Sequence, residues 1–193
     1  MRRRVFAGER FFWGSGCKPG MRAKRDVEAD KPITYSGQGF SLVGEKGRFV
    51  LPPELRKAVR ESGQGERLLC LAKHPRWKCL IGFGLSRADE LEDELDREES
   101  IALERGLDFD RDERAQQLYG FTRIPFDDSG RFVLPERYFK LGGLTDRLFF
   151  QGGGKVFTIW NPAELAKMGS NWEDAKEACA DLEAQALAGK ARK

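Results

Sequence analysis

The sequence predicts an α+β protein built from two copies of one small module. Three observations carry that expectation. The hexapeptide Gly47-Arg48-Phe49-Val50-Leu51-Pro52 returns as Gly130-Arg131-Phe132-Val133-Leu134-Pro135, 83 residues later. Short apolar runs of strand length and helix signals follow each copy in the same order. Charge is segregated: residues 1–31 carry a net +5, residues 86–114 a net −8, and the rest of the chain a net +6 after position 31. A long-period repeat of this kind marks a duplicated unit. A unit of roughly 50 residues buries too little apolar surface to stand alone, so two copies sharing one core are expected.

Residues 1–34 form a basic arm with no periodicity, expected to be disordered. It is either a tail or a misassigned start, with Met21 an alternative start, or an arm that adds non-specific affinity for DNA. The first module is expected over residues 35–84. It opens with a strand around Phe40 and Leu42, a turn at Gly44-Glu45-Lys46-Gly47, and a returning strand from Arg48, read as a hairpin. Pro52 and Pro53 stop that strand and start a helix over residues 54–61. Residues 68–72 and 77–83 form a second hairpin around His74-Pro75-Arg76.

An acidic helical linker is expected over residues 85–120. Ser86 and Asp89 have the spacing of a capping box, followed by one helix over 87–104 and another over 110–119. The second module, residues 121–168, repeats the order. Residues 121–126 and 131–134 are strands, 136–141 a helix, and 146–151 and 155–160 a hairpin across Gly152-Gly153-Gly154. Residues 169–193 carry a C-terminal helix, with Ser170 and Glu173 as its capping box and Trp172, Ala175, Cys179, Leu182 and Ala186 on one stripe.

Composition excludes several classes. With 40% hydrophobic and 34% charged residues the chain is globular. No run reaches the 18 or so apolar residues of a membrane span, and no signal peptide is recognisable at the N-terminus. Cys17, Cys70, Cys79 and Cys179 are scattered, form no C-x-x-C pair, and accompany a single histidine, His74. That pattern implies reduced thiols in the cytoplasm and no metal. Cys70 and Cys79 are expected to meet across paired strands. Neither a nucleophile elbow nor a phosphate loop is present, and Gly152-Gly153-Gly154-Lys155 lacks Walker spacing. No enzyme, cofactor or small-molecule substrate is expected.

The repeated polar residue is an arginine beside a glycine at a tight turn. Such a turn has a structural reading, in which glycine supplies a positive φ and the arginine is merely exposed. The functional reading is DNA recognition. A guanidinium at the edge of a narrow β-turn can donate two hydrogen bonds to guanine O6 and N7. Lys46 would add a phosphate contact, and Arg56, Lys57 and Arg60 make the following helix basic.

The unit of turn, Gly-Arg, strand, proline and helix resembles the AbrB-type swapped-hairpin β-barrel module, double-psi-like with flanking helices. Two such units joined by a helical linker resemble the MraZ family over residues 35–190. Tyr35-Ser36-Gly37, Arg111-Asp112-Glu113-Arg114 and Phe157-Thr158-Ile159-Trp160 also match the family. The family's DNA-binding signature is Asp-x-x-x-Arg. The second copy has it, Asp127 to Arg131, while Gly44 replaces the first aspartate before Arg48. The resemblance implies a cytoplasmic, nucleoid-associated repressor of the division and cell-wall gene cluster, acting on its own promoter among others. It implies a homo-oligomeric ring on direct repeats of double-stranded DNA. The residues it implicates are Lys46, Gly47, Arg48, Asp127, Gly130 and Arg131. The missing aspartate implies a loosened first turn or altered base preference. Two alternatives stand beside this: an antitoxin-like protein of the same fold, and an assembly protein with reduced DNA binding.

Overall fold

A computed structural model describes residues 33–191. The expected basic arm, with Met21 and Cys17, lies outside the described residues except for Ile33 and Thr34. The described residues are α+β, and every ladder among their eight strands is antiparallel. The strands are β1 (Gln38–Leu42), β2 (Arg48–Val50), β3 (Leu68–Lys73), β4 (Leu80–Phe83), β5 (Thr122–Pro125), β6 (Arg131–Val133), β7 (Arg147–Gly152) and β8 (Phe157–Trp160). Six form one sheet in the order β1-β7-β8-β4-β3-β5, and β2 pairs with β6 in a separate ribbon. Exchanging β1 with β5, β2 with β6, β3 with β7 and β4 with β8 turns the sheet order into its own reverse.

That pairing corrects two expectations. First, β1 and β2 do not form a laddered hairpin, nor do β5 and β6. Each first strand pairs with the third strand of the other half, β1 with β7 and β5 with β3. What remains of the first hairpin is its turn. Gly44 N–H donates to the Arg48 carbonyl at 2.8 Å, and the buried Ser41 hydroxyl accepts from Val50 N–H at 2.9 Å. The ladders of β1 and β2 are instead made with β7 and β6. Second, the internal alignment does not keep one offset: it falls from 83 residues to 79 after the helix. Leu42 pairs with Arg147, and Pro125, 83 residues after Leu42, pairs with Leu68. Leu68 therefore corresponds to Arg147, and Arg67 to Asp146.

Helix α1 (Pro53–Ser62) begins with proline at its first position, where the missing N–H has no partner to lose. Helix α5 (Glu136–Gly142) follows Pro135 and ends on Gly143 in the left-handed region, φ 60°. The linker folds as α2 (Leu85–Asp89), α3 (Leu91–Glu104) and α4 (Arg111–Tyr119). The single helix expected over 87–104 breaks at Glu90. Buried Arg87 makes ion pairs with both Glu90 and Glu94 around the break. Ser86 is no cap: its N–H donates to the Ser62 hydroxyl at 2.9 Å, tying α2 to α1. Ser170 likewise lies inside a 3-10 turn, Ser170–Trp172, ahead of α7 (Glu173–Ala191).

The Arg111–Arg114 stretch clamps the acidic helix. Arg111 reaches Glu92 and Glu99 at 2.6 Å and Asp96 at 2.7 Å, while Arg114 binds both carboxylate oxygens of Glu98. Asp110 caps α4 by accepting from Glu113 N–H at 2.9 Å. This arrangement folds the densest run of negative charge back upon its own cations.

The main core draws on both halves: Phe49, Leu51, Leu55 and Leu69 with Phe132, Leu134, Tyr138 and Phe150. A second cluster joins Cys79, Phe149 and Trp160 to Ala175 and Cys179 of α7, with Trp172 and Leu182 at its margin. Cys70 sits in the first cluster and Cys79 in the second, so the two do not meet as expected. Each is a free, buried thiol, pushed up by burial to about 11 for Cys70 and about 12 for Cys79.

Tyr35 ties the start of the described chain to two distant glycines. It bridges to Gly154, and its buried hydroxyl accepts from Gly84 N–H at 2.7 Å. Two residues on, Gly37 has φ +84°, and an added Cβ would lie 2.3 Å from Glu54 Oε2. Tyr35→Phe leaves the Gly84 N–H buried without a partner. It is expected to cost about 1–3 kcal/mol, read as a lower urea midpoint with an unchanged slope. An unchanged midpoint would mean that water replaces the hydroxyl.

Candidate nucleic-acid interface

Strands β2 and β6 have identical sequences, Arg-Phe-Val, and one burial pattern: outer residues exposed, phenylalanine buried. Alternation along a strand sends residues one apart to opposite faces. Phe49 and Phe132 face each other across the ribbon, are 0% and 1% exposed, and hold their ring centroids 6.2 Å apart. The opposite face presents Arg48 beside Val133 and Arg131 beside Val50. The valines are 42% (Val50) and 53% (Val133) exposed, so this face carries two arginines on one diagonal and two uncovered valines on the other. Arg48 and Arg131 line one shallow depression with Asp127 and Pro125.

Each arginine leaves a tight turn, and the turns differ. In the second, Asp127 accepts through Oδ1 from Ser129 N–H and Arg131 N–H, both at 2.9 Å, and through Oδ2 from Arg131 Nε at 2.7 Å. The Arg131 N–H and guanidinium hold the Asp127 carboxyl below its ordinary range, although it is exposed. This brace is therefore complete at neutral pH and is lost only as pH falls through that lowered value. An ion pair from Arg67 fixes the neighbouring Asp128. Gly130 has φ +81°, where a Cβ would lie 2.8 Å from Arg56 Cδ, so α1 of the first half packs on the turn of the second.

In the first turn, Lys46 adopts φ 58° and Gly47 φ 68°. Two consecutive left-handed residues, one of them not glycine, make a less comfortable turn. Arg48 N–H donates to the Glu45 carbonyl, whereas the second turn closes one position earlier, from Gly130 N–H to the Asp127 carbonyl at 2.8 Å. Among the described residues the Arg48 side chain has no hydrogen-bond or ion-pair partner.

The structure thus brings five of the six expected residues to the one short ribbon, Gly47 and Arg48 at one end and Asp127, Gly130 and Arg131 at the other. Lys46 is exposed beside Gly47. Spacing alone missed Arg67, whose contact with Asp128 crosses between halves 61 residues apart. It also missed Val50 and Val133, whose exposure depends on which strand β2 pairs with. The basic residues Arg56, Lys57 and Arg60 line one surface of α1 together with Glu61.

No family model matches the chain. Similarity to individual proteins is clear, however. A protein of Parvibaculum lavamentivorans is 30% identical over 134 residues, 69% of this chain and 79% of the relative. One of Gluconacetobacter diazotrophicus is 31% identical over 131 residues, 67% and 79% of the two chains. One of Nitratidesulfovibrio vulgaris is 24% identical over 150 residues and 95% of its own length. Each of these is named a transcriptional regulator MraZ. At that identity and coverage, the chain belongs to the MraZ family.

Proposed function

We propose that this chain is a sequence-specific DNA-binding transcriptional regulator that reads bases with the outer face of the β2–β6 ribbon. The observation that carries the reading is the pairing of Arg48 with Val133 and of Arg131 with Val50 on an exposed two-stranded ribbon. The major groove, about 12 Å wide, admits such a ribbon, and arginine recognises guanine O6 and N7 there. Diagonal positions on a ribbon lie about 7–8 Å apart. Both guanidinia thus fall within one groove and address one short, contiguous stretch of base pairs. Lys46 and the basic face of α1 supply phosphate contacts, and Asp127 supports the second arginine.

The names of the relatives support a regulator. The self-reversing strand order supports an AbrB-type swapped-hairpin module present twice, with residues 35–84 and 121–168 as the units, 85–120 as the linker and 169–193 as the C-terminal helix. Repression of the division and cell-wall cluster, a nucleoid location and a ring on direct repeats complete the proposal. Several weakly bound subunits on one assembly would make binding tight through effective concentration.

The test is a titration of the full chain, at several salt concentrations, against its own upstream DNA and a scrambled duplex of equal length. Selective binding that weakens steeply with salt is the expected result. Equal, weak binding to both duplexes would overturn the proposal in favour of an assembly protein.

A further inference from the structure

The two turns occupy corresponding positions but are not held equally. The second has three supports: the Asp127 carboxylate on Arg131, the Arg67 ion pair on Asp128, and Arg56 packed over Gly130. At the corresponding points the first turn has none of them. Gly44 stands where Asp127 stands. Asp146 corresponds to Arg67 and Glu45 to Asp128, so the first half has two carboxylates where the second has an ion pair, and Asp146 meets Arg147 instead, at 3.8 Å. Phe139 corresponds to Arg56 and packs at a tilt against Phe49 with centroids 6.1 Å apart, while a Cβ at Gly47 would meet nothing within 4 Å.

Resting on the DNA-reading proposal above, we propose that the two arginines are unequal readers: Arg131 is a fixed reader that demands its base, and Arg48 is a compliant one that tolerates substitution. The physical reason is preorganisation. A guanidinium already held by a carboxylate loses little side-chain freedom on binding and cannot swing to a neighbouring acceptor. A free one loses more, and can trade a base edge for a phosphate. Gly44 is then the residue that sets the specificity of the first turn, and Asp127 that of the second.

Gly44→Asp is sterically open. Its backbone φ is −101°, and an added Cβ would meet only the Arg48 carbonyl oxygen, at 3.4 Å. The experiment is selection of bound duplexes from a randomised library by the full chain, then single-base substitution across the selected element. Positions are assigned to each arginine by the penalties that vanish in Arg48→Ala or Arg131→Ala. In the parent, wrong bases at the Arg131 positions are expected to cost about 10–100-fold in affinity. At the Arg48 positions the cost stays below about 3-fold, since a free side chain recovers part of each loss. Gly44→Asp should raise the Arg48 penalties towards those of Arg131, and Asp127→Gly should flatten the latter. Equal penalties in the parent, or an unchanged profile in Gly44→Asp, would overturn the inference while leaving DNA reading intact. Failure to enrich any sequence would overturn DNA reading itself.

A measurement without DNA separates the two further. The Arg131 Nε–H should exchange with solvent more slowly than that of Arg48 in NMR spectra of the free protein. Equal exchange would remove the basis for unequal readers, whatever the DNA result.

Discussion

Arg131→Ala is expected to lower affinity for the selected DNA about 10–100-fold while leaving the fold within about 0.5 kcal/mol of the parent. The two halves of that expectation have separate causes. The side chain is half exposed, and its partner among the described residues is Asp127, itself more than a third exposed. Removing it uncovers no core and strands no buried charge. The carboxylate still accepts the N–H groups of Ser129 and residue 131, so the turn keeps its closure. What disappears is a charge-assisted donor pair aimed away from the protein. A base contact and a phosphate contact then differ in their response to salt. Arg131→Ala should leave the slope of log affinity against log salt nearly unchanged and relax the base preference. Lys46→Ala should weaken all sequences alike and reduce the slope by about 1. If Arg131→Ala binds the selected duplex as well as the parent does, the Gly-Arg corner is structural only.

The repeat and its consequences were legible in the sequence because they depend on local order. A hexapeptide followed by proline and a helix, a pair of hairpins around His74 and Gly153, and an acidic helical linker all follow from neighbours in the chain. What was not legible depends on partners far away. Whether β1 pairs with β2 or with β7 cannot be read from either strand, since β7 lies more than 100 residues away and enters no local pattern. The helix break at Glu90 comes from Arg87 being buried, and Ser86 fails as a cap because Ser62 of another helix claims it. The fall in offset from 83 to 79 that matches Arg67 with Asp146 appears only in the ladder register. The interface shows the same division. Gly47, Arg48, Gly130 and Arg131 follow from the repeat, Lys46 from its charge beside the turn and Asp127 from the family signature, while Arg67 and the exposure of the valines follow from how the strands interlock.

Phe132→Ala is expected to be the most damaging single change near the interface, at about 3–5 kcal/mol, read from thermal or denaturant unfolding. The ribbon consists of three residues in each strand, and an isolated two-stranded ribbon is marginal in water. Its hydrogen bonds alone cannot hold it. What holds it is the pair of phenylalanines driven from its inner face into the shared core, each essentially unexposed. Alanine at 132 removes one of these anchors and leaves a cavity facing Phe49. Phe49→Ala should therefore cost a similar amount, and the double variant less than the two combined, with a coupling of about 0.5–1.5 kcal/mol for the ring pair. Val133→Ala, one residue along on the outer face, should cost less than about 0.5 kcal/mol because that side chain is already in solvent. The contrast matters for function. The face that would meet DNA makes almost no contribution to folding, and the face behind it fixes where the arginines stand. If Phe132→Ala unfolds no more easily than Val133→Ala, the ribbon is not anchored by its aromatic pair, and the placement of Arg48 and Arg131 on a rigid support fails with it.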